Sequence, residues 1–279
     1  MTLKQALNHA QKIFVANNID DARLESELLL RHTLNLSQTQ LYLDIDRELS
    51  PEQEKAFQRL IKRRLNGEPT AYITRHREFY GLDFYIDRNV LIPRPESELL
   101  VEKALQLAQH RSGISIAEVG TGCGAIAISL ALNLPQAKIY ATDISAPALR
   151  VAHTNCQKHG VINRVCLLPG DMLEPLPEPV DLIVANLPYV RESELLSRSF
   201  EPRLALNGGS DGLERIRRLS RQLSDKLNPE GCLLLEIGQG QEEAVTNLLF
   251  SLFPSAKIEV SPDLSGINRV VSLHLTRLL

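Results

Sequence analysis

The chain is expected to fold as an α/β protein, with a small N-terminal helical bundle preceding a sheet that is mostly parallel. Three observations carry this. Apolar residues recur at three- and four-residue intervals up to about residue 73. From Ile114 onward, short β-rich runs alternate with helical stretches, the pattern of a sheet layered with helices. The first of these runs feeds a glycine loop, Gly120-Thr121-Gly122-Cys123-Gly124, which opens onto a helix of small residues. A length of 279 residues with 43% hydrophobic content suffices for one large domain and one small one.

The N-terminal elements follow from periodicity and caps. Leu3, Ala6, Leu7, Ala10, Ile13 and Phe14 form one apolar stripe, and Leu24, Leu28, Leu29 and Leu34 a second. Asp20-Asp21 is expected to cap the second helix. Ser50-Pro51-Glu52-Gln53 is a capping signature with proline at the first helical position. That helix is expected to run to about Leu65 and stop at Asn66-Gly67. Its basic run, Arg59 to Arg64, is expected to be a solvated face. These helices hold no catalytic cluster, so their expected work is partner recognition, with a purely stabilising appendage as the alternative.

Glu78 to Ile86 predicts a β-hairpin turning near Gly81. Leu91-Ile92-Pro93-Arg94-Pro95 is a stiff extended segment able to close over a ligand, and a helix is expected from near Pro95. The expected division is a helical recognition domain at 1–73, a hairpin linker at 74–92 and a catalytic domain at 93–279. Within the last, strands are expected at Ile114–Val119, Lys138–Thr142, Val165–Leu168, Val180–Ala185, Leu233–Ile237, Ala256–Val260 and Arg269–His274.

The candidate site lies where successive strands end. Glycines at alternate loop positions let backbone approach a ligand closely. After the next strand, Asp143, followed by Ile144, offers a carboxylate for ribose hydroxyls. After the third, Asp171 can accept from an adenine amino group and Met172 can lie against its face. After the fourth stands Asn186-Leu187-Pro188-Tyr189. The Asn186 side-chain carbonyl, the Leu187 backbone carbonyl and the flat Tyr189 ring together suit a planar –NH2. Gly120-x-Gly122-x-x-Ala125 also satisfies a dinucleotide fingerprint, with Asp143 at roughly the ~20-residue spacing it requires. Gly124, Glu118 before the loop and the tetrapeptide after the fourth strand shift the balance away from hydride transfer.

Glu118-x-Gly120-x-Gly122-x-Gly124, Asp143 and Asn186-Leu187-Pro188-Tyr189 resemble class I S-adenosylmethionine-dependent methyltransferases that act on amino groups. Further motifs narrow the resemblance. Asn66-Gly67-Glu68-Pro69, Ala71-Tyr72-Ile73, Arg77-Glu78-Phe79-Tyr80 and Leu91 to Glu96 with Glu98 come first. Glu201-Pro202 with Ala205-Leu206, Gly209 with Asp211-Gly212, and Asp263-x-x-Gly266-x-x-Arg269 follow in order. Together they are similar to the peptide chain release factor glutamine N5-methyltransferases, the PrmC/HemK family, over about residues 66–279.

The resemblance implies a Rossmann-like sheet of seven strands with an antiparallel terminal hairpin. It implies S-adenosylmethionine as donor, S-adenosylhomocysteine as product, and the glutamine of a release factor's Gly-Gly-Gln motif as acceptor. Glu118, Gly120, Thr121, Gly122, Cys123, Gly124, Asp143, Ile144, Asp171, Met172 and Asn186 would then face the donor. Asn186, Leu187, Pro188 and Tyr189 would carry catalysis, with Arg94 and Phe200 beside the substrate. For Arg94 a structural ion pair is an equal alternative. The family usually has proline where this chain has Leu187, so the fixed φ is lost while the backbone carbonyl survives. Asn-Leu-Pro-Tyr also occurs in rRNA adenine dimethyltransferases, which makes an adenine-N6 methyltransferase on rRNA or DNA the second reading. A nucleotide-binding regulatory module is a third.

Composition weighs on these. The formal net charge is −3, where a chain built around a polyanion usually carries a basic excess. Direct nucleic-acid binding is therefore disfavoured. Cys123, Cys156, Cys166 and Cys232 lack disulfide or metal-ligand spacing, and Cys166 and Cys232 are expected to be small buried hydrophobes. His153 and His159 are expected on a solvated helix face and no metal site is expected. Ser193, Ser197 and Ser199 lack the context of a nucleophile. No apolar run reaches the ~20 residues of a membrane span, and no leader pattern opens the chain. A cytoplasmic protein is expected.

Overall fold

A computed structural model describes all residues except 110, 197–198 and 277–279. Ser197 therefore lies outside the described residues. The chain divides into two compact units, Met1–His76 and Arg77–Leu279.

The first unit is helical: α1 (Leu3–Ala16), α2 (Ala22–Leu34), α3 (Gln38–Leu43), α4 (Pro51–Leu65) and the short α5 (Thr70–Thr74). Capping boxes start three of them, at Thr2/Gln5, Ser37/Gln40 and Ser50/Gln53. Helix α2 departs from expectation. Asp21 has φ 50° and makes no side-chain cap bond, because a capping carboxylate needs extended backbone to reach the first free N–H groups. Leu24 is also exposed, and the face turned inward is Ala22, Ser26, Leu29 and Leu30. Leu3, Ala6, Ala10, Phe14, Leu41, Leu49, Phe57, Ile61 and Ile73 complete this core. The basic run of α4 is not wholly solvated. Arg63 makes a two-pronged pair with Glu68 at 2.7 and 2.8 Å, and Arg64 meets Glu25 at 2.8 Å.

Starting at the last residue of the first unit, β1 (His76–Phe79) forms a hairpin with β2 (Leu82–Tyr85) whose two turn residues, Tyr80 and Gly81, both have positive φ. A 3-10 turn at Pro95–Ser97 leads into α6 (Glu98–Ala108). Alternating elements follow: β3 (Ser115–Val119), α7 (Ala125–Asn133), β4 (Lys138–Asp143), α8 (Ala146–Lys158), β5 (Val165–Pro169) and β6 (Val180–Ala185). Then come α9 (Arg203–Leu206), α10 (Glu214–Ser220), α11 (Leu223–Lys226), β7 (Leu227–Glu236), α12 (Glu242–Leu252), β8 (Lys257–Pro262) and β9 (Asn268–His274).

The sheet has seven strands in the order β5-β4-β3-β6-β7-β9-β8. The first five pair in parallel, and β9 is antiparallel to both β7 and β8. The order reverses between β3 and β6, so the crevice at their C-terminal ends is where such a sheet binds ligands. Ile116, Ala117, Ile183, Val184, Leu233 and Leu234 are all buried, which fits strands covered on both faces. Strand β7 starts earlier than expected. Val180 pairs with Leu227 but Leu182 pairs with Cys232, so the turn-like Asn228-Pro229-Glu230-Gly231 is looped out between them. Cys232 is buried as expected, whereas Cys166 is exposed because β5 is an edge strand. His153 is exposed, but His159 ends α8 with Nε2 2.9 Å from the Asp83 carbonyl and its ring against Phe84.

Candidate active site

The glycine loop leaves β3 with Gly120, Gly122 and Gly124 all in left-handed backbone, φ 74°, 56° and 85°. Gly124 also lies so close to Ile128 and Ala152 that a Cβ would be 3.0 and 3.4 Å from them. The loop is fastened from three sides. The Gly120 and Thr121 N–H groups donate to the Thr142 carbonyl at 2.9 and 3.0 Å. The Cys123 carbonyl accepts from buried Asn155 at 2.9 Å. Beneath it, Glu118 accepts from the Thr121 hydroxyl at 2.5 Å and the Ala127 amide at 2.9 Å. Burial pushes the Glu118 carboxyl up to about 8 despite both bonds, with the Asp143 charge adding to the rise.

Asp143, at the end of β4, accepts from the Gly122 N–H and the Ser145 N–H, each at 2.8 Å and on separate oxygens. Burial raises its pKa and these two bonds oppose the rise. Each oxygen retains acceptor capacity towards the cleft beside it. Asp171 faces the same cleft and is engaged by Arg218 at 2.6 Å. Met172 has left-handed backbone, φ 49°, and turns towards the cleft.

That cleft is lined by Gly120, Gly122, Asp143, Ile144, Asp171 and Met172, together with Asn186, Leu187 and Pro188. Asn89–Leu91 and Pro202, Leu204 and Ala205 also line it. Glu118, Thr121, Cys123 and Gly124 are not in its lining. All four are buried, and the Thr121 hydroxyl points from the loop to Glu118 beneath it. Tyr189 is outside the lining as well. Arg94 pairs with Glu201 at 2.6 Å, and Phe200 lies under Arg88 with 5.7 Å from guanidinium to ring centre. Neither lines the cleft.

The tetrapeptide leaves the end of β6. Asn186 donates through Nδ2 to the Ser97 hydroxyl at 2.9 Å. Ser97 in turn donates to Glu236 at 2.6 Å. The Leu187 carbonyl has no donor among the described residues, and its side chain packs beside Gly120. Tyr189 is held by its carbonyl, which accepts from Gln241 at 3.2 Å, and its hydroxyl is 3.5 Å from Glu236. The turn at Gly208–Gly212 packs against the tetrapeptide: a Cβ at Gly208 would be 2.7 Å from the Tyr189 Cα. Among the described residues no His, Cys, Asp or Glu group could hold a metal. No helix among them is long and apolar enough to cross a membrane.

Residues 5–74 match the family model of the PrmC N-terminal domain, and residues 95–201 that of the methyltransferase small domain. The release factor glutamine methyltransferase of Moorella thermoacetica is 43% identical over 275 residues, 96% of this chain and 97% of the relative. That of Geobacter sulfurreducens is 38% identical over 97% of this chain and 95% of its own length. This chain belongs to the release factor glutamine methyltransferase family. A crystal structure of a Pyrococcus furiosus methyltransferase shares the fold alone, with a TM-score of 0.55 and 19% identity over 71% of this chain and 91% of that one.

Methyltransferase domain and fold together imply a methyl donor of the S-adenosylmethionine type. The chain's residues fit one: a cleft edged by close-approach glycines, a half-satisfied carboxylate at Asp143 and an apolar wall that includes Met172. Five residues here were not singled out for the site from sequence. Ser97 and Glu236 sit behind Asn186, Asn155 pins the loop, and Arg215 and Arg218 line the cleft. Asn155 and Arg218 sit on ordinary helices, and Glu236 ends an apolar strand, so no local pattern marks them.

Proposed function

We propose that the chain transfers the methyl of S-adenosylmethionine to the side-chain amide nitrogen of the glutamine in a release factor's Gly-Gly-Gln motif. One observation carries the chemistry. Asn186 lines the cleft with its Nδ2 committed to Ser97, so its Oδ1 remains as an acceptor. A glutamine amide nitrogen is a poor nucleophile because its lone pair is conjugated with the carbonyl. A sulfonium supplies an activated methyl with a neutral leaving group, so no covalent enzyme intermediate is needed. The chain's task is to orient the –NH2 with its lone pair facing the methyl, at ~3 Å and in line.

Asn186 Oδ1 and the Leu187 carbonyl would each take one amide hydrogen. Both acceptors gain strength as positive charge develops on nitrogen, which favours the transition state over the bound substrate. Tyr189 would stack on the amide plane. Its hydroxyl stays protonated, pushed up to about 12 by burial and the neighbouring Glu236 charge, so it is no base at neutral pH. A dedicated base is not needed, because the nitrogen proton becomes acidic on alkylation. Asp143 would hold the donor's ribose, and Asp171, once released from Arg218, its adenine amino group. Several relatives that match over nearly their full length carry a release factor glutamine in their names, and the net charge of −3 does not favour a polyanionic substrate.

Mass spectrometry of a release factor incubated with the protein and S-adenosylmethionine tests this. One added methyl is expected on the glutamine of the Gly-Gly-Gln peptide. A methyl on any other residue would remove the assignment.

A further inference from the structure

Three separate elements meet behind the tetrapeptide. Glu236 is the last residue of β7, Ser97 closes the 3-10 turn before α6, and Asn186 follows β6. Glu236 and Ser97 are 2% and 4% exposed, so water does not compete for their bonds. Ser97 Oγ donates to Glu236 Oε2 at 2.6 Å and accepts from Asn186 Nδ2 at 2.9 Å.

We propose that Glu236 is a positioning residue which, through Ser97, fixes which end of the Asn186 amide faces the cleft. The inference rests on the glutamine-amide reading above for its consequence, not for its geometry. A hydroxyl has one proton to give. An ionised carboxylate only accepts, so that proton goes to Glu236 and the Ser97 oxygen is left as an acceptor. An acceptor can face only the nitrogen end of Asn186. The Asn186 oxygen is therefore turned away from Ser97, to the side where a substrate –NH2 needs an acceptor. Were Glu236 protonated, it could donate to Ser97, Ser97 could donate onward, and Asn186 would turn its own –NH2 outward. Two donors would then meet. The second Glu236 oxygen lies 3.5 Å from the Tyr189 hydroxyl, which brings the stacking ring under the same carboxylate.

The groups facing Glu236 leave this order near its tipping point. Burial raises its pKa to about 7. The Ser97 bond, the Arg269 charge from β9 and the Tyr189 hydroxyl hold it down, while Glu96 from the 3-10 turn pushes it up. The acceptor is thus presented above about pH 7 and withdrawn below it.

The test compares wild type with S97A, E236Q and the double variant. It uses labelled methyl transfer to a release factor across pH 5.5–9 and calorimetric S-adenosylmethionine binding. Each single variant is expected to lose about tenfold or more in kcat, with donor Kd within about threefold of wild type. The double variant should lose no more than the worse single, because both cut one chain. The acid limb of kcat/KM near pH 7 should vanish in E236Q. Multiplicative losses, a persisting acid limb, or donor affinity falling in step with activity would overturn the proposal. Neutron diffraction of the wild-type protein above pH 8 reads the order without substrate. A deuteron on Ser97 directed at Glu236 is expected, and one directed at Asn186 overturns it. If wild type labels no factor, the glutamine reading fails alone and the neutron map still decides the relay.

Discussion

The Arg94 guanidinium rests on the Glu201 carboxylate, Nη2 to Oε2 2.6 Å, while the other Glu201 oxygen accepts the Ile92 N–H at 3.1 Å. Asn89–Leu91 and Pro202, Leu204 and Ala205 are two separate segments of the cleft lining. Glu201 therefore ties these two segments together. Glu201→Ala removes both bonds and should raise the donor Kd by about 5–20-fold, in the range of one or two hydrogen bonds to a charged group. Arg94→Ala should cost less, since its side chain is 39% exposed and the Ile92 bond survives. Calorimetry with both variants ranks them. Equal losses would place the restraint in the ion pair alone.

Asn186→Ala is expected to lower kcat by about 100-fold or more while donor Kd changes by less than about threefold. The lost acceptor acts on charge that appears only in the transition state. Single-turnover kinetics beside calorimetry separates the two. Parallel loss of rate and donor binding would assign Asn186 to the donor instead.

Asp143 holds the Gly122 and Ser145 amides on separate oxygens while facing the cleft. Asp143→Ala leaves two N–H groups unpaired as well as removing an acceptor for the donor. A loss of about 30-fold or more in donor affinity is expected. Asp143→Asn keeps one acceptor and should lose less. An alanine variant with unchanged affinity would show that Asp143 serves the loop only.

Glu118 makes a stability prediction with a definite sign. Its folded pKa of about 8 lies above its ordinary 4.5, so between these pH values the folded chain binds more protons than the unfolded one. Stability from this group is full below about pH 4.5 and is lost as pH rises through 8. Glu236 and Asp143 are raised too and act in the same direction. His32 and His274 are pushed down by burial and act oppositely below their ordinary 6.5. The clean window is therefore pH 6.5–8, where the midpoint of thermal unfolding should fall. Glu118→Gln, which keeps an acceptor for Thr121 and Ala127, should flatten that fall. A variant whose midpoint tracks wild type across the window would show that Glu118 is ionised throughout.

What was legible in the sequence was what is settled by neighbours along the chain. Ser50 and Gln53 form the predicted capping box because both partners lie within one turn. The hairpin turns at Tyr80-Gly81, one of which is glycine, and β6 runs over the predicted residues. The strand ends bring Gly120, Gly122, Asp143, Asp171, Met172, Asn186 and Leu187 to one cleft. Asp21 fails as a cap because its backbone φ is 50°, a conformation that composition does not encode. Cys166 is exposed because β5 is the edge of the sheet, which depends on strand order rather than on the strand. Ser97 and Glu236 are 139 residues apart, and Glu236 ends a run of leucines where a carboxylate has no local signature. Their meeting exists only once β7 and the 3-10 turn before α6 are brought together. The same holds for Arg94, whose partner Glu201 lies 107 residues further along the chain.

The measurement that bears most directly on the account is transfer of labelled methyl from S-adenosylmethionine to a purified release factor, run beside its Gly-Gly-Gln glutamine-to-alanine variant and bare rRNA. Label on the wild-type factor alone is the predicted result, since Asn186 and the Leu187 carbonyl are read as holding a glutamine –NH2. Label on rRNA, with none on the factor, would contradict it and make an adenine amino group the occupant of the same acceptors.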